Sequence, residues 1–154
     1  MVVRAKFLVA AMLCVSGLAA MTGVVAARPV LPAEQRDRPY TGVLPSCADA
    51  DVLATITSRF QQKESEYWNS DRHILAFSHV HQSGYRTNGV DYIPRRYCTA
   101  WATVDNDRPR HHHLVVYSIG EGLGWLGYGY GVNWCVTGYD RNYAYAPWCH
   151  AARH

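Results

Sequence analysis

The clearest pattern of hydrophobic and polar positions lies in the first half of the chain, where apolar side chains recur at helical spacing. The apolar positions are Val52, Leu53, Ile56, Phe60 and Tyr67, and the other side carries Arg59, Gln61, Gln62, Lys63, Glu64 and Glu66. This amphipathic pattern predicts a helix with one buried side. Ser46 and Asp49 have the spacing of a capping box, so we expect the helix to begin at Cys47 and to end near Trp68.

After the helix the period of the pattern changes from helical to alternating. Residues 73–80 predict a first strand, and residues 97–119 predict a hairpin around a turn at 105–109. Residues 132–137 offer one more short strand. One face of the first hairpin strand carries small side chains, which would let a helix lie close to it, namely Cys98, Ala100, Ala102 and Val104.

One helix followed by three or four antiparallel strands makes an α+β domain, because the helix and the sheet each bury one side against the other. The simplest compact version is a cystatin-like arrangement, in which the helix lies across a curved meander. We expect this single domain over residues 46–154. Before it, residues 28–45 hold four of the seven prolines among charged residues, which predicts an extended tether.

Residues 1–27 have the organisation of a secretory signal peptide. Arg4 and Lys6 precede a nearly uncharged run, and the segment ends in small residues before Arg28. The run is about 20 residues long, enough to cross a bilayer, so an uncleaved anchor stays open as an alternative. In both cases we expect the domain to be exported, to the periplasm or out of the cell.

The charge of the chain argues against a nucleic-acid partner. The formal net charge is +3, and Arg4 and Lys6 in the leader account for much of it. Binding to nucleic acid or to an anionic lipid surface needs clustered positive charge, which the remainder lacks. We therefore expect contact with a membrane only through the leader, if the leader is not cleaved.

Four cysteines follow the leader, an even number that predicts two disulfides in an exported domain. Three pairings are open. A bond between Cys135 and Cys149 would close an irregular tail onto its strand, with a loop of about 15 residues and a stabilisation of about 3 kcal/mol. A bond between Cys47 and Cys98 would tie the start of the helix to the small-residue strand face. We favour these two pairs.

The last third of the chain interleaves glycines with aromatic residues. A domain of this size cannot bury all of these rings, so we expect some of them to be exposed. Flat rings suit stacking on sugars or on the apolar surface of a protein. The alternative is that the rings form a lid over the disulfide-closed tail. The candidate ligand-binding residues are Trp125, Tyr128, Tyr130, Trp134 and Trp148, with Glu121 at the start of the glycine-rich stretch.

Acid–base chemistry has two candidate residues, Glu121 and Asp140. Glu121 opens the glycine-rich stretch and could line a cleft, and an active site around Glu121 and Asp140 is the second function that we consider. The competing interpretations are that Glu121 is a solvated loop acid and that Asp140 pairs with its neighbour Arg141.

Histidines suggest a third function, metal binding. His79 and His81 could share one face of the first strand, as His111 and His113 could on the third. Imidazoles two residues apart on a strand can share a metal ion. An intervening strand of the meander would separate the two pairs, however, and polar residues beside a turn are usually solvated. We therefore expect no cofactor.

A pattern of short stretches spans most of the chain after the leader, at residues 92–98, 116–119, 131–136, 138–142 and 144–147. Together with Phe60, Glu64, Ser65 and the run from Trp68 to Ser70, it resembles small exported proteins of alphaproteobacteria that have no assigned activity. The resemblance implies a Gram-negative periplasmic setting, and it supplies no catalytic residues to carry over. The run from His111 to His113 lies outside the pattern.

Our leading interpretation is a non-catalytic periplasmic or secreted module that binds an envelope component, either a glycan or a protein. The aromatic residues of the 123–148 region would make the contact.

Overall fold

The computed structural model describes residues 40–87, 93–106 and 112–153. Within these residues the chain forms α1 (Ala50–Trp68), β1 (Ile74–Arg86), β2 (Arg95–Val104), β3 (His112–Glu121) and β4 (Tyr130–Val136). The strands make one antiparallel sheet in the order β1-β2-β3-β4. The predicted α+β fold, a helix packed on an antiparallel meander, is confirmed. The predicted leader and most of the predicted tether lie outside the described residues.

Helix α1 ends at Trp68 as predicted, but it begins at Ala50 rather than Cys47. The reason is that Asp49, and not Ser46, is the N-cap. Its carboxylate accepts hydrogen bonds from the amides two and three residues later, at 3.0 and 3.3 Å. A carboxylate there satisfies amides that have no partner within the helix.

The buried stripe of α1 differs from the predicted one at its end. Val52, Ile56 and Phe60 are buried as the pattern requires, and the next position in this series is Glu64, which is also buried. Tyr67, the expected end of the stripe, is exposed. The assignment of Glu64 to the polar side of the helix was therefore wrong.

The hairpin over residues 97–119 is confirmed as β2 and β3, with Cys98 opposite Tyr117 and Ala100 opposite Val115. The small-residue face of β2 is buried beneath α1, as predicted. Strand β1 is longer than expected, because a register shift after Ser78 lets pairing with β2 continue to Arg86. Bulges of this kind bend a strand without ending it.

Both faces of the sheet are covered near β3 and β4. On one face, α1 packs on residues such as Tyr117 and Val132. On the other face, the tail, which we define as residues 137–153, covers Val116 and the buried Cys135 and Cys149. The tail therefore acts as a partial third layer.

Both predicted disulfides are confirmed. Cys47 is bonded to Cys98 and Cys135 to Cys149, with Cα–Cα distances of 5.8 and 5.7 Å. The first ties the segment before α1 to β2, and the second ties the tail to β4. Two disulfides are typical of an oxidising, extracellular compartment. Among the described residues, no helix has the length and apolar character needed to cross a membrane.

Candidate functional site

Large exposed side chains concentrate in the connection between β3 and β4. We name Leu123, Trp125, Leu126 and Tyr128 the loop cluster. Trp125 is 85% exposed, Leu126 77% and Tyr128 63%. The expectation that some of the C-terminal rings are exposed is confirmed, since Trp125 and Tyr128 are among the exposed large side chains.

Hydrogen bonds within the connection hold the loop cluster in one shape. The amide of Gly122 donates to the carbonyl of Gly129 at 2.6 Å, and the amide of Tyr128 donates to the carbonyl of Trp125 at 3.0 Å. The second bond closes a tight turn at Trp125–Gly127, in which Leu126 has φ of 52°, and the first bond joins the two ends of the connection. The loop is therefore held in a compact conformation by its own hydrogen bonds.

Two glycines let the loop lie directly against the sheet. Gly120 and Gly131 are paired across β3 and β4. A Cβ atom on Gly120 would lie 2.4 Å from Cδ1 of Leu123, and one on Gly131 would lie 2.3 Å from the Leu123 carbonyl oxygen. Any larger residue at either position would displace Leu123. The absence of side chains at these two glycines thus leaves the space in which Leu123 packs, and this contact fixes the loop cluster on the sheet.

A groove of about 420 Å³ separates the loop cluster from α1. Thr55 and Arg59 of α1 form one wall, and Trp125 and Tyr130 contribute to the other. Arg59 donates to the carbonyl oxygen of Val132 at 3.1 Å, which satisfies an outward-facing group of the edge strand β4.

Negative charge lies beside this groove. Burial, together with the carboxylates of Asp49 and Asp51, raises the pKa of Tyr130. Asp51 lies one helical turn before Thr55, whose hydroxyl donates to the Asp51 carbonyl at 2.7 Å. Because Thr55 and Arg59 line the groove, the first turns of α1 bring both negative and positive charge to it.

The predicted ligand-binding residues divide into two groups. Trp125, Tyr128 and Trp148 are exposed, whereas Tyr130 and Trp134 are partly buried and pack against the core. The Trp134 ring lies 6.1 Å from the Phe60 ring. Sequence reasoning placed all five in the right region but could not separate the exposed rings from the packed ones.

Glu121 is bound to the end of the predicted tether. Its carboxylate accepts hydrogen bonds from the amide and hydroxyl of Thr41, at 2.7 and 2.8 Å, and from the amide of Gly42, at 2.8 Å. The hydroxyl of Tyr85 donates to the carbonyl of Gly42. These residues have no regular secondary structure, and they are fastened to the sheet by Glu121.

Asp140 stabilises the turn of the tail. It accepts hydrogen bonds from the amides of Ala144 and Tyr145, at 3.1 and 2.9 Å. The expected partnership with Arg141 is wrong, since Arg141 donates to Glu64 at 2.9 Å. Glu121 pairs with the first residue of β4, whereas Asp140 follows the end of β4. The structure therefore does not bring the two carboxylates together.

The histidines are dispersed, and β2 lies between β1 and β3 as the meander predicted. His79 is exposed at the irregular part of β1, near His81. His113 lies with Nδ1 2.9 Å from the carbonyl oxygen of Thr137 and packs on the Tyr139 ring. His111 lies outside the described residues. In the part of the chain that the structure describes, no group of three or more His, Cys, Asp or Glu is arranged to hold a metal ion.

The pair of Glu64 and Arg141 is the feature that sequence reasoning missed. Glu64 is fully buried, and the Arg141 side chain is 27% exposed. The Arg141 guanidinium also lies over the Trp68 ring, 5.0 Å from its centroid. The signal available in the sequence was the position of Glu64, four residues after Phe60 on the buried stripe.

The chain matches no protein-family model, no curated protein and no solved structure. The resemblance to exported alphaproteobacterial proteins and the cystatin-like comparison stay predictions from the sequence. The loop cluster and its groove are the arrangement on which a functional proposal can be built.

Proposed function

We propose that this chain is a non-catalytic module of the periplasm, or of the secreted fraction, that binds a protein of the cell envelope through the loop cluster. The observation that carries the proposal is the exposure of Trp125, Leu126 and Tyr128 side by side on a loop seated on the sheet. Contiguous apolar patches on a soluble domain are typical of interaction sites.

The fixed shape of the loop favours binding. Association costs free energy when a flexible loop must be ordered, and the hydrogen bonds of Gly122 and Tyr128 have already ordered this one. Trp and Tyr are the residues that most often dominate binding energy at protein interfaces. Trp125 and Tyr128 are therefore the expected anchors.

The chemistry of the loop favours a protein over a glycan. From Gly122 to Gly129 the sequence contains no charged and no amide side chain. Sugar hydroxyls need such groups as hydrogen-bond partners, because a hydroxyl that loses water without a new partner costs free energy. An apolar pocket on a protein has no such requirement.

Charge of both signs lies beside the loop cluster. A partner that places a basic group near Asp51 and an acidic group near Arg59 would gain electrostatic complementarity. The predicted signal peptide and the two disulfides support an exported location for this encounter.

No specific observation favours an active site around Glu121 and Asp140 or a metal site made of histidines. The carboxylates of Glu121 and Asp140 are bonded to backbone amides at opposite ends of β4. We therefore propose no active site there, and we propose no metal centre among the dispersed histidines.

Site-specific photo-crosslinking in the producing cell tests the proposal. A photoreactive phenylalanine analogue replaces Leu126 in the full chain, and the control carries it at Tyr67, which is equally exposed but lies on α1. We expect one discrete, protease-sensitive adduct from position 126 and none from position 67. A second substitution, Trp125→Ser, should lower its yield about tenfold, and Asp51→Lys should lower it less.

Several outcomes would refute this function. They are the absence of an adduct, equal adducts from both positions, or an adduct that resists protease but yields to glycan hydrolases. An adduct of twice the chain mass would identify a second copy of the chain as the occupant, in place of a different protein.

A further inference from the structure

A second exposed aromatic feature lies in the tail. We define the tail cleft by Asp140, Arg141, Tyr143, Pro147 and Trp148, which line a cavity of about 420 Å³. Tyr143 and Trp148 are each 77% exposed. A volume of this size falls within the range of small-ligand sites, about 300 to 1,000 Å³.

The two exposed rings of the tail cleft stand on an unfavourable backbone. Tyr143 has φ of 55° and Trp148 has φ of 51°, a region that bulky residues rarely adopt. The surrounding structure maintains it, because Cys149 is bonded to Cys135 and Asp140 holds the amides of the intervening turn. Strained residues that present their side chains to solvent are a reason to look for a binding site.

Arg141 also lines the tail cleft, and its side chain is held in place. Glu64 is fully buried and holds the Arg141 guanidinium at 2.9 Å, and the Trp68 ring lies beneath the guanidinium. A guanidinium has five N–H donors, so Arg141 can bind Glu64 and a ligand at the same time. Arg141 therefore contributes a fixed cation to the same lining as Tyr143 and Trp148.

We propose that the tail cleft binds an oligosaccharide of N-acetylated hexosamines. The rings of Tyr143 and Trp148 offer flat surfaces to the apolar faces of the sugars. Arg141 offers donors to sugar or amide oxygens, and the small apolar side chains of Ala146 and Pro147 offer a contact for the acetyl methyl group. This site is separate from the loop cluster, so a chain with both could hold a protein and a glycan of the envelope together.

An NMR titration of the oxidised protein with tetra-N-acetylchitotetraose tests the proposal. We expect the Trp148 indole signal to shift with saturation. The variant Trp148→Ala should raise the Kd about tenfold or more, and Tyr143→Ala should raise it about fivefold. The matched control is Trp125→Ala, which removes an equally exposed tryptophan of the loop cluster and should change the Kd less than about twofold.

Cellotetraose, which lacks the acetamido groups, serves as the second ligand and should bind more weakly. The absence of saturable shifts, or an equal loss of binding in Trp125→Ala, would overturn the site. Equal affinity for cellotetraose would overturn the choice of N-acetylated sugars. The two proposals fail separately, because Trp125→Ser should lower the yield of the crosslinked adduct about tenfold and leave the titration unchanged.

Discussion

Glu64 occupies a helix position that the surrounding pattern assigns to an apolar side chain. One carboxylate oxygen bonds Arg141, and the other has no hydrogen-bond partner among the described residues. Removing a carboxylate from water is costly unless a counter-charge is held against it. That counter-charge comes from 77 positions further along the chain. The sequence of the helix alone therefore assigns Glu64 to the solvent-exposed side of α1.

Tyr117 is the buried residue whose protonation links structure to pH. Its hydroxyl donates to the carbonyl of Cys47 at 2.7 Å beneath α1. Burial raises the pKa of Tyr117 from its ordinary value of 10.0 to about 12. The bond also fixes the backbone at one end of the Cys47–Cys98 disulfide.

We expect the protein to lose stability in strong alkali partly through Tyr117. Between pH 10 and 12 the unfolded chain releases this proton while the folded chain keeps it, so the free energy of unfolding falls as the pH rises. The contribution is fully present below pH 10 and is lost through about pH 12, by about 2 to 3 kcal/mol. Urea unfolding at pH 8 and pH 11 should show about half of this loss, about 1.4 kcal/mol, because pH 11 lies midway between the two pKa values.

The variant Tyr117→Phe is the control for this titration. It loses a hydrogen bond worth about 1 kcal/mol at pH 8, and its stability should fall less between the two pH values than that of the parent chain. Equal pH dependence in both proteins would show that Tyr117 does not carry the effect.

At the scale of elements, the loop between β3 and β4 depends on the strands on either side of it. A stretch so rich in glycine is often a flexible loop. Instead, Gly120 and Gly131 form a paired gap on the sheet that Leu123 fills. The exposure of Trp125 and Tyr128 follows, because Leu123 turns toward the sheet and its neighbours turn away from it.

We expect Gly131→Ala to lift the loop off the sheet. The new methyl group would meet the Leu123 carbonyl oxygen at 2.3 Å and Leu123 Cβ at 2.7 Å. The free energy of unfolding should fall by about 1 to 3 kcal/mol, and the Gly122 amide, which donates to Gly129, should exchange faster with solvent. Hydrogen-exchange NMR measures this directly.

Gly129→Ala is the comparison within the same loop. Its methyl group would meet nothing within 4 Å, but φ is +65°, so the expected cost is about 1 kcal/mol from backbone strain alone. If the Gly122 amide of Gly131→Ala exchanged as slowly as that of the parent chain, Gly131 would not be what lets the loop lie against the sheet.

At the scale of the whole molecule, the two disulfides anchor two segments that lie outside the helix and the sheet. One fastens the segment before α1, and the other fastens the tail to the opposite face of the sheet. The proposed tail site depends on the second bond, because Cys149 lines the tail cleft next to Trp148.

We expect the two disulfides to contribute unequally. In the chain-entropy treatment, a separation of 51 residues predicts a loss of about 4 kcal/mol for the Cys47→Ala/Cys98→Ala double variant. A separation of 14 residues predicts a loss of about 3 kcal/mol for Cys135→Ala/Cys149→Ala. Urea unfolding measures both losses. In the NMR titration, only the second variant should lose binding of tetra-N-acetylchitotetraose.

Thiol titration of protein recovered from its own compartment provides the complementary result. We expect none of Cys47, Cys98, Cys135 and Cys149 to react before reduction. Four reactive thiols would contradict the disulfide-bonded architecture.

The sequence by itself determined the elements and their partners across short distances. The period of apolar residues located α1, the small face of β2 indicated that α1 lies on it, and the even number of cysteines predicted two disulfides, with the observed pairing favoured among three. These features depend on local spacing and on one face of one element, which a linear pattern records.

Only the tertiary structure decided which side chains near β4 are exposed, and how the acids are used. Trp134 is packed while Trp125 is not, Arg141 bonds Glu64 instead of Asp140, and Glu121 holds Thr41. Each outcome depends on which distant segment the chain brings alongside, and a partner far away in sequence leaves no periodic signal at the residue that it contacts.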